Sequence, residues 1–266
     1  MNATALQVDS SFSRGAAMPL GRLARAYLTE AKYETLRMLR SPGFAIPFLG
    51  MPAALYLLFA VAIFGAALRN DLPTAMFLFA GFSVFGIMGP GMFGFGMIVA
   101  IEREQGLVQL KRALPMPPAA YLLAKLIMSL LFGAIVMATM LAAGISLGRL
   151  PLTLGQTINV AGTCTLGTLP FCAIGLFLGT RLSSRSAPAI VNVVYQLMMH
   201  IAGLFYPLPR FLKAIAPIWP SYHVRQLMFI ALGSTESGSA VEHVAFLAGL
   251  TVLLVALAVR RLARVG

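Results

Sequence analysis

Residues 75–101 read AMFLFAGFSVFGIMGPGMFGFGMIVAI, twenty-seven positions without one charged side chain. A surface helix of a soluble domain keeps a polar face, whereas this run is apolar all round and exceeds the roughly 20 residues that cross a hydrocarbon core. Working outward, five further stretches have the same character: Gly43–Leu68, Ala119–Gly148, Leu154–Thr180, Ala187–Tyr206 and Val241–Val259. The whole chain of 266 residues is 59% hydrophobic and 11% charged, with a mean hydropathy of +0.87. A soluble enzyme carries about 25% charged residues, and a membrane barrel would alternate in segments of about ten. The reading is an all-α polytopic membrane protein, with six transmembrane helices in a single domain over residues 20–266 behind a mobile cytoplasmic leader, residues 1–19.

Only two charged residues fall inside the spans, Lys125 and Glu242, each near an end where a long side chain reaches the interface. Fifteen of the 20 Lys and Arg lie on the side of the termini, while Arg69, Arg149, Arg210, Lys213 and Arg225 lie on the other. The positive-inside rule therefore places both termini in the cytoplasm. The net charge of +12 reads as a topology signal and an attraction to anionic membrane lipids, not as a nucleic-acid surface. No signal-type apolar run precedes Gly43. Cys164 and Cys172, eight residues apart on one helix and so about 12 Å apart, are too distant for a disulfide.

The segments between the spans have patterns of their own. From Leu20 to Arg40 apolar residues recur at helical spacing opposite Arg22, Arg25, Glu30, Lys32, Glu34, Arg37 and Arg40, which predicts an amphipathic elbow helix lying in the headgroup plane and ended by Ser41-Pro42-Gly43. After the second span, Glu102-Arg-Glu-Gln-Gly-Leu-Val-Gln-Leu-Lys-Arg-Ala-Leu-Pro115 sets two carboxylates, Glu102 and Glu104, a Gly106 hinge and a ridge of Leu107, Leu110 and Leu114 on one short helix. Such a helix suits docking into a groove of a soluble partner; a solvated connector is the other reading. Between the fifth and sixth spans, Tyr206–Pro220 is cut by prolines and followed by the apolar Ser221–Leu232, a pattern for short helices that dip in and return, with Trp219 as an interface anchor.

Catalytic machinery is missing from the sequence. No Gly-Lys dipeptide exists, so a phosphate-binding loop is excluded, and no His-Glu-x-x-His or Cys-x-x-Cys occurs. His200, His223 and His243 are too dispersed to suggest a metal site. On the fifth span, Asn192, Gln196 and His200 recur every four residues, with Tyr195 and Met199 beside them. That polar stripe faces protein or a cavity, as helix-packing hydrogen bonds or as part of a substrate path. The second span holds Gly81, Gly86, Gly89, Gly91, Gly94 and Gly96 among phenylalanines that include Phe85 and Phe93. These glycines serve close helix packing or a kink.

Two of these stretches carry a resemblance. The segment Ile101–Pro115 with Lys125 downstream, and Gly203-Leu-Phe-Tyr-Pro-Leu-Pro-Arg-Phe-Leu-Lys-Ala-Ile-Ala-Pro-Ile-Trp-Pro220 followed by Arg225, resemble the coupling segment and the outer re-entrant region of the membrane (permease) subunit of type-2 ABC transporters, the family of drug, lipid and polysaccharide exporters. Gln105 and Leu107 depart from that pattern, in which a basic residue and a threonine are frequent. The resemblance implies a homodimer of permeases in a bacterial inner membrane, resting on two ATPase subunits that hold ATP and magnesium, with no cofactor on this chain. It assigns Glu102, Arg103, Glu104, Gly106, Leu107 and Leu110 to the coupling helix, and Arg181, Ser183, Ser184 and Arg185 to a second contact loop. Phe85, Phe93, Asn192, Tyr195, Gln196, Met199 and His200 would line the substrate path or the dimer interface. The cargo implied is an amphipathic, antibiotic-like or lipid-linked molecule moved outward. A secondary transporter would instead work without an ATPase, and a lipid-modifying enzyme would need an intramembrane acid or nucleophile.

Overall fold

A computed structural model describes residues 19–64, 71–113, 118–147, 150–235 and 237–265. Helix α1 (Leu20–Leu39) stops one residue before Ser41-Pro42, where the proline opens α2 (Pro42–Ile63). The Asp71 carboxylate accepts from the Thr74 amide at 3.1 Å and caps α3 (Leu72–Glu104). Gly106, at φ 74, turns the chain into α4 (Leu107–Ala113). Helix α5 (Ala120–Leu147) follows, then α6 (Leu154–Gly179), begun by a reciprocal capping box of Thr153 and Gln156. Then come α7 (Ala187–Ile201), α8 (Arg210–Ile215), α9 (Pro220–Ala231) and α10 (Ala240–Val265). No strand occurs among the described residues.

Among the described residues five helices are long and apolar enough to cross a membrane: α2, α3, α5, α6 and α10. The sixth stretch differs from its expected extent of Ala187–Tyr206. Its helix ends at Ile201 after 15 residues, about 22 Å at the usual rise, because Gly203 takes φ +67. The bend sets the Leu204 carbonyl against Gly81 of α3, so closely that any side chain at 81 would collide with it.

Helix α3 is the centre of the bundle, buried along most of its length. Its second half, Pro90–Met97, widens to i→i+5 hydrogen bonding after the proline. There its backbone meets that of α6: a Cβ built on Gly96 would lie 2.6 Å from the Gly175 carbonyl oxygen, and one on Gly175 would lie 2.7 Å from that of Gly91. Close packing accounts for these glycines. Helices α2 and α10 are peripheral, largely exposed along their apolar length. Cys164 and Cys172 are free and buried.

The molecule has two unlike ends. At one, the charged end, α1, the close of α3, α4, the start of α5 and the close of α6 meet. At the other, the far end, α9 covers the tops of α7 and α10. Lys125 does not reach an interface as its position near a helix end suggested. It is fully buried, 2.6 Å from Glu34 of α1 and 3.0 Å from Glu102 of α3. The leader as far as Met18, Leu114, Pro115 and Pro117, residues 65–68 and 148, and Arg69 and Arg149 lie outside the described residues.

Candidate functional site: an aromatic cavity and a charged edge

A cavity of about 730 Å³ opens between α2, α3 and α7. Six of the seven residues singled out for a path or interface line it: Phe85 and Phe93 from α3, and Asn192, Tyr195, Gln196 and Met199 from α7. His200 does not. Its ring stays on the exposed side of α7 with Nδ1 2.8 Å from the Gln196 carbonyl oxygen. The remaining walls come from residues that sequence reasoning left unassigned, among them Phe48, Met51, Leu55 and Phe59 of α2, Phe82 of α3, and Phe205 and Tyr206 beyond α7. The 48-51-55-59 spacing marks one helical ridge, a signal that was readable; the return of Phe205 to the wall depends on the Gly203 bend and was not.

The rings form a connected wall. Phe48 meets Phe93 at 5.3 Å between centroids, Phe93 meets Tyr195 at 5.5 Å, and Tyr195 meets Phe85 at 5.6 Å. Phe205 then touches Phe85 at 5.5 Å and Phe82 at 4.6 Å. Each such pair contributes about 0.5–1.5 kcal/mol beyond burial, so the wall is stiff. The Tyr195 hydroxyl is used internally, donating to the Phe85 carbonyl at 3.0 Å. The side-chain amides of Asn192 and Gln196 are exposed, and no hydrogen bond to another described residue occupies them. Among the described residues no charged side chain lines the cavity. Its size falls within the range of sites for drug-sized molecules.

The charged edge is built from the expected coupling residues, in an unexpected arrangement. Glu102 is 3% exposed and points inward: Tyr121 donates to it at 2.6 Å, and Lys125 and Arg37 pair with it at 3.0 and 2.7 Å. It is therefore committed within the chain. Arg103 donates to the carbonyls of Thr180 and Leu182, the second at 2.7 Å. Arg261 of α10 donates to the same Thr180 carbonyl at 3.0 Å. Glu104 is exposed and accepts from Ser184 at 2.5 Å. The two segments named separately from sequence are thus tied together by Arg103 and Glu104.

Of the remaining candidates, Leu107 is half-buried and Leu110 is 60% exposed. Arg181 lies 4.4 Å from the Phe177 ring centre with its charge outward, Ser183 bonds Ser186 at 2.9 Å, and Arg185 is exposed. Helix α1 joins through Glu30, which pairs with Lys111 of α4. Glu104, Leu110, Arg181 and Arg185 remain as surface that another protein could meet. Among the described residues no group of three or more His, Cys, Asp or Glu is placed to hold a metal ion.

Two comparisons bear on this architecture. The family description "ABC-2 type transporter" matches residues 25–232. Over 193 residues the chain is 27% identical to "Putative transport permease YvfS" of Bacillus subtilis (strain 168), covering 71% of this chain and 78% of that one.

Proposed function

The chain belongs to the ABC-2 type transporter family as a membrane permease subunit, and on that premise we propose that the aromatic cavity receives an amphipathic, largely apolar cargo for export. The single observation that carries this reading is the cavity wall: connected rings, two unoccupied amides and, among the described residues, no charge. Rings and methionines fit many apolar shapes, while Asn192 and Gln196 orient one or two polar groups.

In this proposal the charged end lies in the cytoplasm with both termini, and the short α7 completes a sixth crossing helped by the chain beyond it. The partner is an ATPase subunit, which holds ATP and magnesium, docked on Glu104, Leu110, Arg181 and Arg185. Two ATPases and two permeases form the complex, the permeases meeting as a homodimer along the exposed faces of α2 and α7, so that the cavities of the two copies face one pathway. A push on α4 passes through Arg103 and Glu104 to the Thr180–Ser186 loop, and so to the first turn of α7, a cavity wall. Glu102 and Lys125 anchor the segment that is pushed, and touch no partner.

The test is reconstitution of this chain with its ATPase in lipid vesicles. Apolar aromatic compounds are expected to stimulate ATP hydrolysis, and N192L/Q196L to raise the half-saturating concentration about tenfold while hydrolysis without cargo is unchanged. Equal stimulation of the double variant and the natural chain across a panel of such compounds would sink the cavity assignment. Hydrolysis by this chain alone would sink the division of labour.

A further inference from the structure

We infer that His223 and His243 hold one proton between them, making the far end a proton-binding site that clamps α9 to the first turn of α10. The argument is a count of protons. His223 Nε2 lies 2.8 Å from the Pro217 carbonyl oxygen, and His243 Nε2 lies 2.8 Å from that of Ser237. A carbonyl only accepts, so both Nε2 atoms carry hydrogen. A neutral imidazole has one N–H, which leaves each Nδ1 with a bare lone pair. Yet the two Nδ1 atoms face each other at 2.8 Å, a hydrogen-bond distance that two lone pairs would not keep. One further proton turns the contact into N–H···N: three protons on four nitrogens, with one positive charge shared by the pair.

A metal ion does not fit the same gap. At about 2.0 Å from each nitrogen, an ion on the line between them would need roughly 4 Å. The surroundings are largely apolar and, among the described residues, supply no paired anion. Both rings are under a tenth exposed; Phe246 stacks on His223 at 4.0 Å, and Tyr222 lies 5.4 and 6.3 Å from the two rings. The charged groups on the packed elements are Arg225 on α9, Glu242 on α10, and Arg210 and Lys213 on α8. Arg225 is turned into the rings of Phe77, Tyr222 and Phe229. Glu242 is exposed, and among the described residues no carboxylate forms an ion pair with either histidine.

The site matters because of what α9 also holds. Ser221 donates to the Met198 carbonyl of α7 at 2.9 Å, and Arg225 donates to the Gly203 carbonyl just beyond it. Helix α9 therefore bridges α7, a wall of the cavity, to α10. A second proton sets two cations face to face, with ring centroids 5.1 Å apart, and breaks the clamp. Burial and the neighbouring His243 hold His223 below the ordinary histidine range, against the pull of the Pro217 carbonyl. The clamp is thus the singly protonated pair: it is lost as pH falls below that range and a second proton binds, and equally where the shared proton leaves at higher pH.

The chain has three histidines, so the full chain with ¹⁵N-histidine in lipid nanodiscs, and H200Q for assignment, gives a direct reading. Near pH 7, about the middle of the physiological range, one shared Nδ1–H···Nδ1 signal and a total of three protons on the pair are expected. H243Q should return His223 to an independent titration. Two neutral rings that titrate independently in the natural chain would overturn the inference, as would one equivalent of Zn²⁺ shifting both Nδ1 signals. Thermal melting of the same samples is expected to fall on acidification for the natural chain and to be flat for H223Q/H243Q; a parallel fall in both would also overturn it. Should the double variant fail to fold, the spectrum of the natural chain decides alone.

Discussion

Lys125 and Arg225 are both cations buried among apolar helices, and the protein treats them in opposite ways. Lys125, with no exposed surface, faces two carboxylates, Glu34 and Glu102, and its partners stand on two other helices. Arg225 has no carboxylate: it donates to the Gly203 carbonyl, sits among three rings and leaves Nε without a partner. Burial without an anion pulls it down to about 10. Charge facing charge in low dielectric fixes geometry, because separating the groups exposes each to a desolvation penalty. Charge facing carbonyls and rings gives up less when it moves. The charged end is therefore built to stay together, and the far end to loosen more readily.

The largest test of that contrast is K125M, which leaves the carboxylates of Glu34 and Glu102 with only the half-exposed Arg37 between them. A loss of about 3–5 kcal/mol is expected, as for breaking a buried pair by removing one partner. It should show in thermal melting of the solubilised chain, with recovery in K125M/E34Q/E102Q. Melting of K125M like the natural chain would erase the distinction between the ends. Next comes R225M, expected to cost about 1–2 kcal/mol for one hydrogen bond and its ring contacts, with faster amide exchange at Gly203 and Leu204. A loss as large as that of K125M would mean that the far end is pinned just as firmly. The smallest effect on stability is expected for E104A, whose carboxylate is exposed and bonds only Ser184. Melting should not change, while cargo-stimulated hydrolysis by the reconstituted complex should fall. E102A should do the reverse, melting lower, and that exchange of phenotypes sharpens the difference between anchor and docking surface.

What the sequence disclosed follows the same line. The positions of α2, α3, α5, α6 and α10 were legible because an uncharged apolar run of span length has few other fates. The polar stripe was legible because polar groups at i and i+4 share a face; Asn192 and Gln196 open on the cavity as a pair, and His200, one step further, falls outside it. Lys125 was misread as reaching the interface. Its partner Glu34 lies 91 residues away in the chain, and helical spacing carries no information about which distant helix supplies an anion. The same limit hid the pairing of His223 with His243, which stand on different helices, and the inward turn of Glu102. The end of α7 was placed too late, because the cost of its bend is met by a fit against Gly81 that only the folded chain displays.

The glycine seam between α3 and α6 has a mechanical consequence. Where Gly96, Gly175 and Gly179 bring two backbones into contact, no side chains remain between the helices to slide or change rotamer. The pair bends as one beam, stiffer than either helix alone. A beam transmits displacement along its length with little loss, and whatever hinge the cycle uses must lie beside it. The wide-turned α2 and the truncated α7, both on the opposite wall of the cavity, are the compliant members. In the proposed cycle, motion that begins at the charged end would be steered toward the aromatic wall, with the seam as the fixed rail against which that wall moves.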